Sequence, residues 1–282
     1  MKYSQRPKYE RRNETIAVLV MILLCIPVLF IYFSFFANAF ILDSTGELTL
    51  QNFQFLYQPI QLSQYAVEPI GKAFRNTVIF TAIATTLEVT ISCMAGYALA
   101  RMEFTGKRVI SFSLLTLRLF PGVLLLIGVL YGLLHLGILN TLTGVIVVAI
   151  ALRLPGSTFI IRNFFAGIPQ DIENSALVDG CNRLTAFFQV IIHMVKPGLA
   201  SISIFAFMSA WSNYLLFNVL IFNTKTPVLA TYLRVLSRND QMIADYGVFA
   251  AMAMVYMLPV LIFFFISQRQ LMQGTISGGK GI

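Results

Sequence analysis

Charge is what this sequence has least of. Of 282 residues, 11% are Asp, Glu, Lys or Arg and 57% are apolar, where a soluble domain carries about 25% and about 45–50%. A charge-coated soluble globule is thereby excluded. Histidine is nearly absent too: His135 and His193 are the only two, and no second histidine or carboxylate cluster is spaced for metal ligation. His193 reads as a surface or packing residue. Three cysteines, Cys25 and Cys93 inside apolar runs and Cys181 in a polar stretch, offer no disulfide framework.

What is present is apolar sequence in long runs. Six stretches with few charges cover residues 16–38, 76–100, 109–135, 141–161, 198–222 and 246–267, each near the length of about 20 residues that crosses a bilayer as a helix. A membrane β-barrel would instead show segments of about 10 residues alternating apolar and polar. The first run is too long for the 7–15-residue apolar core of a signal peptide and lacks a small-residue cleavage pattern, so it reads as a retained helix. The pattern predicts an all-α membrane protein with six transmembrane helices. Pro27, Pro121, Pro155 and Pro259 lie within or at the edge of these runs, where neighbouring helices can re-satisfy the freed backbone groups.

The net charge of +8 raises the question of a nucleic-acid partner, and the position of the basic residues answers it. Lys2, Arg6, Lys8, Arg11, Arg12, Arg101, Lys107, Arg108, Arg162, Arg183, Lys196, Arg269 and Lys280 fall on one side of a six-span topology, against Lys72, Arg75, Lys225, Arg234 and Arg238 on the other. By the positive-inside rule both termini and the loops 101–108 and 162–197 are cytoplasmic. The charge therefore reports orientation in the membrane, not nucleic acid. No extramembrane segment is large enough for a separate soluble domain, so residues 1–282 read as one membrane domain with a core over 70–270. No internal repeat is evident, which weighs against an inverted-repeat transporter.

One polar island interrupts the apolar runs: Ile168-Pro169-Gln170-Asp171-Ile172-Glu173-Asn174-Ser175-Ala176-Leu177-Val178-Asp179-Gly180-Cys181-Asn182-Arg183. Proline suits a first helical turn, and Asp171 and Glu173 put negative charge where a helix dipole favours it. Gly180 can end that short helix in a left-handed conformation. A second helical run over 184–194 and Pro197 follow. The small side chains Ser175, Ala176 and Gly180 leave room for another protein to approach; the plainer alternative is an elbow that only connects two spans.

Inside the spans lie three charges, Glu88, Arg118 and Arg153, all near the bilayer midplane at about 1.5 Å rise per residue. Each costs roughly 2.5–3.5 kcal/mol at that depth, so each should face the bundle interior and find a partner. One carboxylate cannot neutralise two guanidiniums. Three readings stay open: a structural pair with the second arginine satisfied by carbonyls or water, a polar lining for a neutral sugar, or recognition of an anionic solute by a planar guanidinium. In span five, Trp211 and Tyr214 offer apolar faces with a polar edge, and Asn213 and Asn218 donate and accept at once. That combination suits a sugar, and equally suits helix packing through interhelical amide bonds.

The island resembles the "EAA" loop of ABC importer permeases: Ile-Pro-x-x-Ile-Glu-Asn-Ser-Ala-x-x-Asp-Gly, with Phe188 and Ile191 downstream. Similarity to the carbohydrate branch of that family, and to the second permease of maltose-type systems, extends through Phe74-Arg75-Asn76-Thr77, Gly96-Tyr97-Ala98-Leu99-Ala100-Arg101, Trp211-Ser212-Asn213-Tyr214, Phe249-Ala250-Ala251 and the tail 268–282. The resemblance implies a type I importer fold in which the loop is a coupling helix seated on an ATP-hydrolysing subunit, with Glu173, Asn174, Ser175, Ala176, Asp179 and Gly180 as the coupling residues. The family's Glu-Ala-Ala is Asn174-Ser175-Ala176 here, with Glu173 supplying a carboxylate one position earlier.

It further implies a heterodimer with a second permease, two cytoplasmic ATPases that hold ATP and Mg, an extracytoplasmic solute-binding protein, and residence in the inner membrane with both termini cytoplasmic. The chain itself would hold no cofactor and perform no covalent chemistry. Gly274-Thr275-Ile276-Ser277-Gly278-Gly279-Lys280 mimics a phosphate-binding loop, but Gly281 stands where Ser or Thr must hold Mg²⁺. The expected function is passage of a mono- or oligosaccharide, with Trp211, Asn213, Tyr214, Asn218, Glu88, Arg118 and Arg153 along the pathway. Two alternatives are an anionic solute, such as a uronic-acid oligosaccharide or glycerol phosphate, and an ion-coupled secondary transporter using Glu88 as proton carrier. A non-transporting membrane scaffold is a further class. The loop argues against the last two.

Overall fold

A computed structural model of the chain describes residues 8–42, 45–61, 66–67, 69–222, 226–237 and 246–278. The end of the predicted tail, Gly279 to Ile282 with Lys280, lies outside them, as do Lys225 and Arg238. The described residues are almost wholly helical; the extended segments are one pair of two-residue strands, Ile60–Gln61 against Ala66–Val67, and an isolated bridge between Ile41 and Leu48. Four helices are long and apolar enough to cross a membrane, or six where each of two bent pairs makes one span.

The chain forms two compact units. The first comprises residues 1–69 and 235–256. Its helix α1, Lys8–Ala39, carries an apolar run that is exposed along most of its length and buried at Ala39. Pro27 lies inside this helix. Below it a 3₁₀ turn, Gln51–Leu56, buries Asn52, whose Nδ2 donates to the carbonyls of Ala39 at 3.1 Å and Ile41 at 2.8 Å. One amide thereby satisfies the carbonyls that the end of α1 leaves without helical partners.

The second unit, residues 70–234 and 257–282, holds the helices on which the rest of the chain's chemistry is mounted. Helix α2, Gly71–Arg101, contains no proline, and α5, Leu142–Ala166, starts where Thr141 Oγ1 accepts from the Gly144 N–H at 3.1 Å, a side-chain N-cap. Helix α9, Lys196–Trp211, packs with both. One core cluster gathers Phe80, Val145, Val148, Phe217 and Leu220, and another Tyr97, Ile161, Phe165, Phe187 and Ile191. Gly96 and Gly198 permit this approach: a Cβ at Gly96 would stand 2.5 Å from Ile161 Cγ2, and one at Gly198 2.5 Å from Phe164 Cγ.

Two of the expected spans are not single helices. The stretch 109–135 divides into α3, Lys107–Leu117, and α4, Gly122–His135, which meet at 108°. Pro121 is the cause, since it lacks an N–H and disfavours helical backbone at the preceding residue. The stretch 198–222 divides as well, because α9 ends at Trp211 and a short helix α10, Tyr214–Leu220, restarts after Ser212. There Asn213 Oδ1 accepts from the Leu216 N–H at 3.3 Å, so the asparagine caps a new helix instead of continuing the old one. By contrast Pro155 and Pro259 sit within unbroken helices, α5 and α12 (Tyr246–Gly278).

The polar island folds as α6, Gln170–Val178, followed by Gly180 at φ +93°. A short helix α7, Arg183–Ala186, leads through a π-helical segment, Phe187–Ile191, into α8, Ile192–Met194. Asn182 Oδ1 caps this second run by accepting from the Thr185 N–H at 2.8 Å, and Arg183–Met194 then turns through 78° into α9.

Close packing at Gly96 gives a stability prediction. Gly96→Val forces Ile161 and the α5 backbone to shift and should destabilise the detergent-purified protein by about 1–3 kcal/mol, read as a lower thermal midpoint. Gly71→Ala, where an added Cβ meets nothing within 4 Å, should leave the midpoint unchanged or raise it. Equal midpoints for the two variants would contradict the packing account.

Candidate functional site

Two places bring polar side chains together inside this apolar chain. The first is a cavity of about 520 Å³ among α2, α4, α5 and α9, lined by Glu88, Arg118, Arg153, Ser157, Phe205 and Ser209 with apolar neighbours. All three intramembrane charges expected from the sequence reach it. Glu88 is buried, and its carboxylate accepts from Ser157 Oγ at 2.5 Å and lies 3.8 Å from Arg153 Nη1. Arg153 Nη1 also donates to the Ala206 carbonyl at 3.2 Å. Ser157 lies one turn beyond Arg153 on α5, so a single helical face presents both partners to the carboxylate.

Arg118 is placed differently. It caps the end of α3 at the break ahead of Pro121, and its guanidinium stands over the Phe159 ring, 5.6 Å from the centroid, within range of a cation–π contact. It makes no ion pair among the described residues.

The other expected pathway residues lie outside the cavity lining. Trp211 is buried, its ring edge-on to Phe74 and stacked on Phe207. Asn213 is occupied in capping α10. Tyr214 and Asn218 instead meet Arg234 of helix α11 (Leu229–Ser237), which stands over the Tyr214 ring at 5.2 Å and donates to Asn218 Oδ1. The aromatic and amide residues of span five thus serve packing, capping and a separate polar cluster. Among the cavity residues that sequence reasoning missed are Ser157, Phe205 and Ser209; of these three, only Ser157 could have been found, by its place one turn from Arg153.

The second place is the elbow. Asn174 and Ser175 on α6, and Asp179 and Gly180 just past its end, are exposed, while Glu173 and Ala176 are turned inward. Ala176 therefore packs against the core and does not open room for a partner, because the helix has one inward stripe and Ala176 shares it with Ile172 and Glu173. Glu173 accepts from Tyr97 Oη at 2.7 Å and pairs with Arg101 Nε at 3.7 Å; the Arg101 and Glu173 side chains are 7% and 8% exposed. Arg101 Nη2 donates to the Ile168 carbonyl at 2.5 Å. Tyr97 is in turn held by ring contacts with Phe165 and Phe187. The elbow is thus fastened to the end of α2 by a buried cluster, and shows solvent a face that mixes Asn174, Ser175 and Asp179 with the exposed Val178, Leu184 and Phe188.

The fold is a helical membrane bundle with a polar cavity among its helices and a short exposed elbow fastened to the end of one of them. The chain belongs to the family described as binding-protein-dependent transport system inner membrane components, whose model matches residues 89–276. It is 32% identical over 271 residues to the diacetylchitobiose uptake system permease protein NgcG of Streptomyces coelicolor, covering 95% of this chain and 87% of that one. It is 28% identical to the maltodextrin transport system permease protein MdxG of Bacillus subtilis, over 86% of this chain and 84% of that. A chain of a bacterial ABC transporter involved in import of the acidic polysaccharide alginate shares the fold, with a TM-score of 0.76 over 94% of this chain and 98% of that one at 19% identity. The protein is an inner-membrane permease subunit and not an enzyme.

The elbow cluster yields a prediction. Arg101→Met leaves the Glu173 carboxylate buried beside Tyr97 alone and should destabilise the protein by about 3–5 kcal/mol, whereas the paired replacement Arg101→Met/Glu173→Leu should recover most of that loss. Thermal unfolding in detergent measures both. A double variant no more stable than Arg101→Met would show that the ion pair does not hold the elbow.

Proposed function

We propose that the chain is the membrane-spanning permease of an ATP-driven importer and forms the passage for a mono- or oligosaccharide delivered by a solute-binding protein. The observation that carries this reading is the likeness, along nearly the whole of both chains, to a permease of diacetylchitobiose uptake. In this reading residues 1–282 act as one permease domain paired with a second, different permease. Two ATPase subunits sit on the cytoplasmic side with ATP and Mg, both termini face them, and no cofactor is held on this chain.

Each part of the structure then has a task. The exposed face of the elbow, with Asn174, Ser175, Asp179 and Gly180 flanked by Val178 and Leu184, docks on an ATPase. Glu173 and Ala176 hold that face in place from inside. Closure of the ATPases on ATP moves the elbow as a rigid body, and the movement reaches the spans. The cavity around Glu88, Arg118 and Arg153 is the section of the passage supplied by this subunit; Trp211 ends α9, the helix whose Phe205 and Ser209 border it, while Asn213, Tyr214 and Asn218 belong to α10 beyond its lining. Engagement of Glu88 by Ser157 and Arg153 favours a structural role for that carboxylate over a mobile proton carrier.

Affinity purification of the tagged chain in mild detergent, with partners identified by mass spectrometry, tests the assembly. The expected result is co-purification of an ATP-hydrolysing subunit and a second permease. The chain alone, in a preparation that still transports without ATP, would refute it.

Coupling through the elbow is tested separately. Gly180→Pro cannot adopt φ +93°, and Asp179→Arg reverses an exposed charge; either should abolish substrate-stimulated ATP hydrolysis while the protein still inserts. Unchanged stimulation in both variants would remove the elbow from the mechanism.

A further inference from the structure

We propose that the cavity is built for an acidic saccharide, whose oxyanion, a carboxylate or a sulfonate, is held by Arg118. The proposal rests on the permease reading above and narrows its substrate class. Its basis is a charge count inside one cavity. Glu88 and Arg153 face each other across 3.8 Å and cancel, and Ser157 and the Ala206 carbonyl take up further hydrogen-bonding capacity on each. Arg118 lines the same cavity and has no ion-pair partner among the described residues. The cavity therefore carries one uncancelled positive charge.

That charge sits, exposed, at the break between two halves of one apolar span, where an ionised side chain is costly and, with no carboxylate partner among the described residues, calls for an anion from elsewhere. Two external anions are open to it, a carboxylate of the second permease or the solute itself. The surroundings favour the solute. A cavity of about 520 Å³ falls within the range of small-molecule sites. Leu117, Phe120, Pro155 and Phe205 give it apolar walls for the C–H faces of a sugar, and Ser209 adds a hydroxyl. Phe159 backs one face of the guanidinium. Gly156 stands at its flank, where an added Cβ would lie 3.8 Å from Arg118 Nε, in ordinary van der Waals contact. A guanidinium fixed in plane presents paired N–H donors, the arrangement that recognises a two-oxygen anion.

The test uses the complete complex in proteoliposomes, with its binding protein, carrying wild-type chain, Arg118→Gln or Arg118→Lys. Uptake is followed for a hexuronate trisaccharide, a 6-sulfonated glucoside and the neutral counterpart of each. Wild type should import at least one acidic probe, and the one it imports distinguishes carboxylate from sulfonate. Arg118→Gln should slow that import about tenfold, as loss of one charge-assisted contact implies, and change neutral uptake by less than about twofold. Arg118→Lys, which keeps the charge and loses the fork, should fall between. Selection by the binding protein is common to all variants and cancels in the comparison. Equal slowing of acidic and neutral probes, no slowing, or a wild type that imports neither acidic probe overturns the proposal. So does an Arg118→Gln complex that loses its second permease on purification, which would assign Arg118 to a partner carboxylate. Each of these outcomes leaves the permease reading intact; that reading fails only where ATP-driven uptake and ATPase partners are both absent.

Discussion

A charge placed in an apolar interior must be matched there, and that constraint organises this molecule. Two buried ion pairs satisfy it: Glu88 with Arg153 inside the bundle, and Glu173 with Arg101 at the elbow. In each, a carboxylate also accepts a hydroxyl, Ser157 in the first and Tyr97 in the second. The Coulombic gain of such a pair offsets desolvation only when further hydrogen bonds complete it, and both sites have them. By comparison the exposed Glu103–Lys107 pair at 2.8 Å contributes well under about 1 kcal/mol, since solvent screens it and side-chain entropy opposes it.

Much of the architecture was legible in the sequence because a bilayer imposes a coarse length code. Apolar runs located all the long helices, and Pro169, Asp171 and Gly180 located the short helix and its stop. Where the code fails, local backbone chemistry is the reason. Pro121 breaks a span that hydropathy reads as continuous, yet Pro155 does not, since only the former lies where the chain turns into α4. Asn213, whose side chain suits a sugar and helix packing equally, caps α10 by its position.

The candidate site was legible in its charges and illegible in its partners. Cost alone said that Glu88, Arg118 and Arg153 should each face inward and find a partner; all three line one cavity, but Glu88 is buried there and Arg118 is exposed. Cost could not say which arginine Glu88 would take. That choice follows from α5 presenting Arg153 and Ser157 on one face, with Arg118 set aside at the break of α3. Likewise the sequence marked Glu173 as the loop's spare carboxylate, but its inward turn depends on Arg101 and Tyr97, which lie more than seventy positions earlier in the chain. Pairings across such separations leave no trace in spacing.

Both ion pairs share one element. Glu88 and Arg101 stand on α2, thirteen residues apart, or about 20 Å along a helix rising about 1.5 Å per residue. The helix between them contains no proline, and Gly96, its closest approach to α5, is sterically locked against Ile161. A segment of that kind transmits displacement and does not absorb it. A pull on the elbow that leaves the Tyr97–Glu173–Arg101 cluster intact therefore moves α2 and the α5 packed against it, so that Glu88 and Arg153 travel together with the wall of the cavity. The arrangement that keeps two carboxylates tolerable in an apolar protein is thus the same arrangement that connects the elbow to its interior.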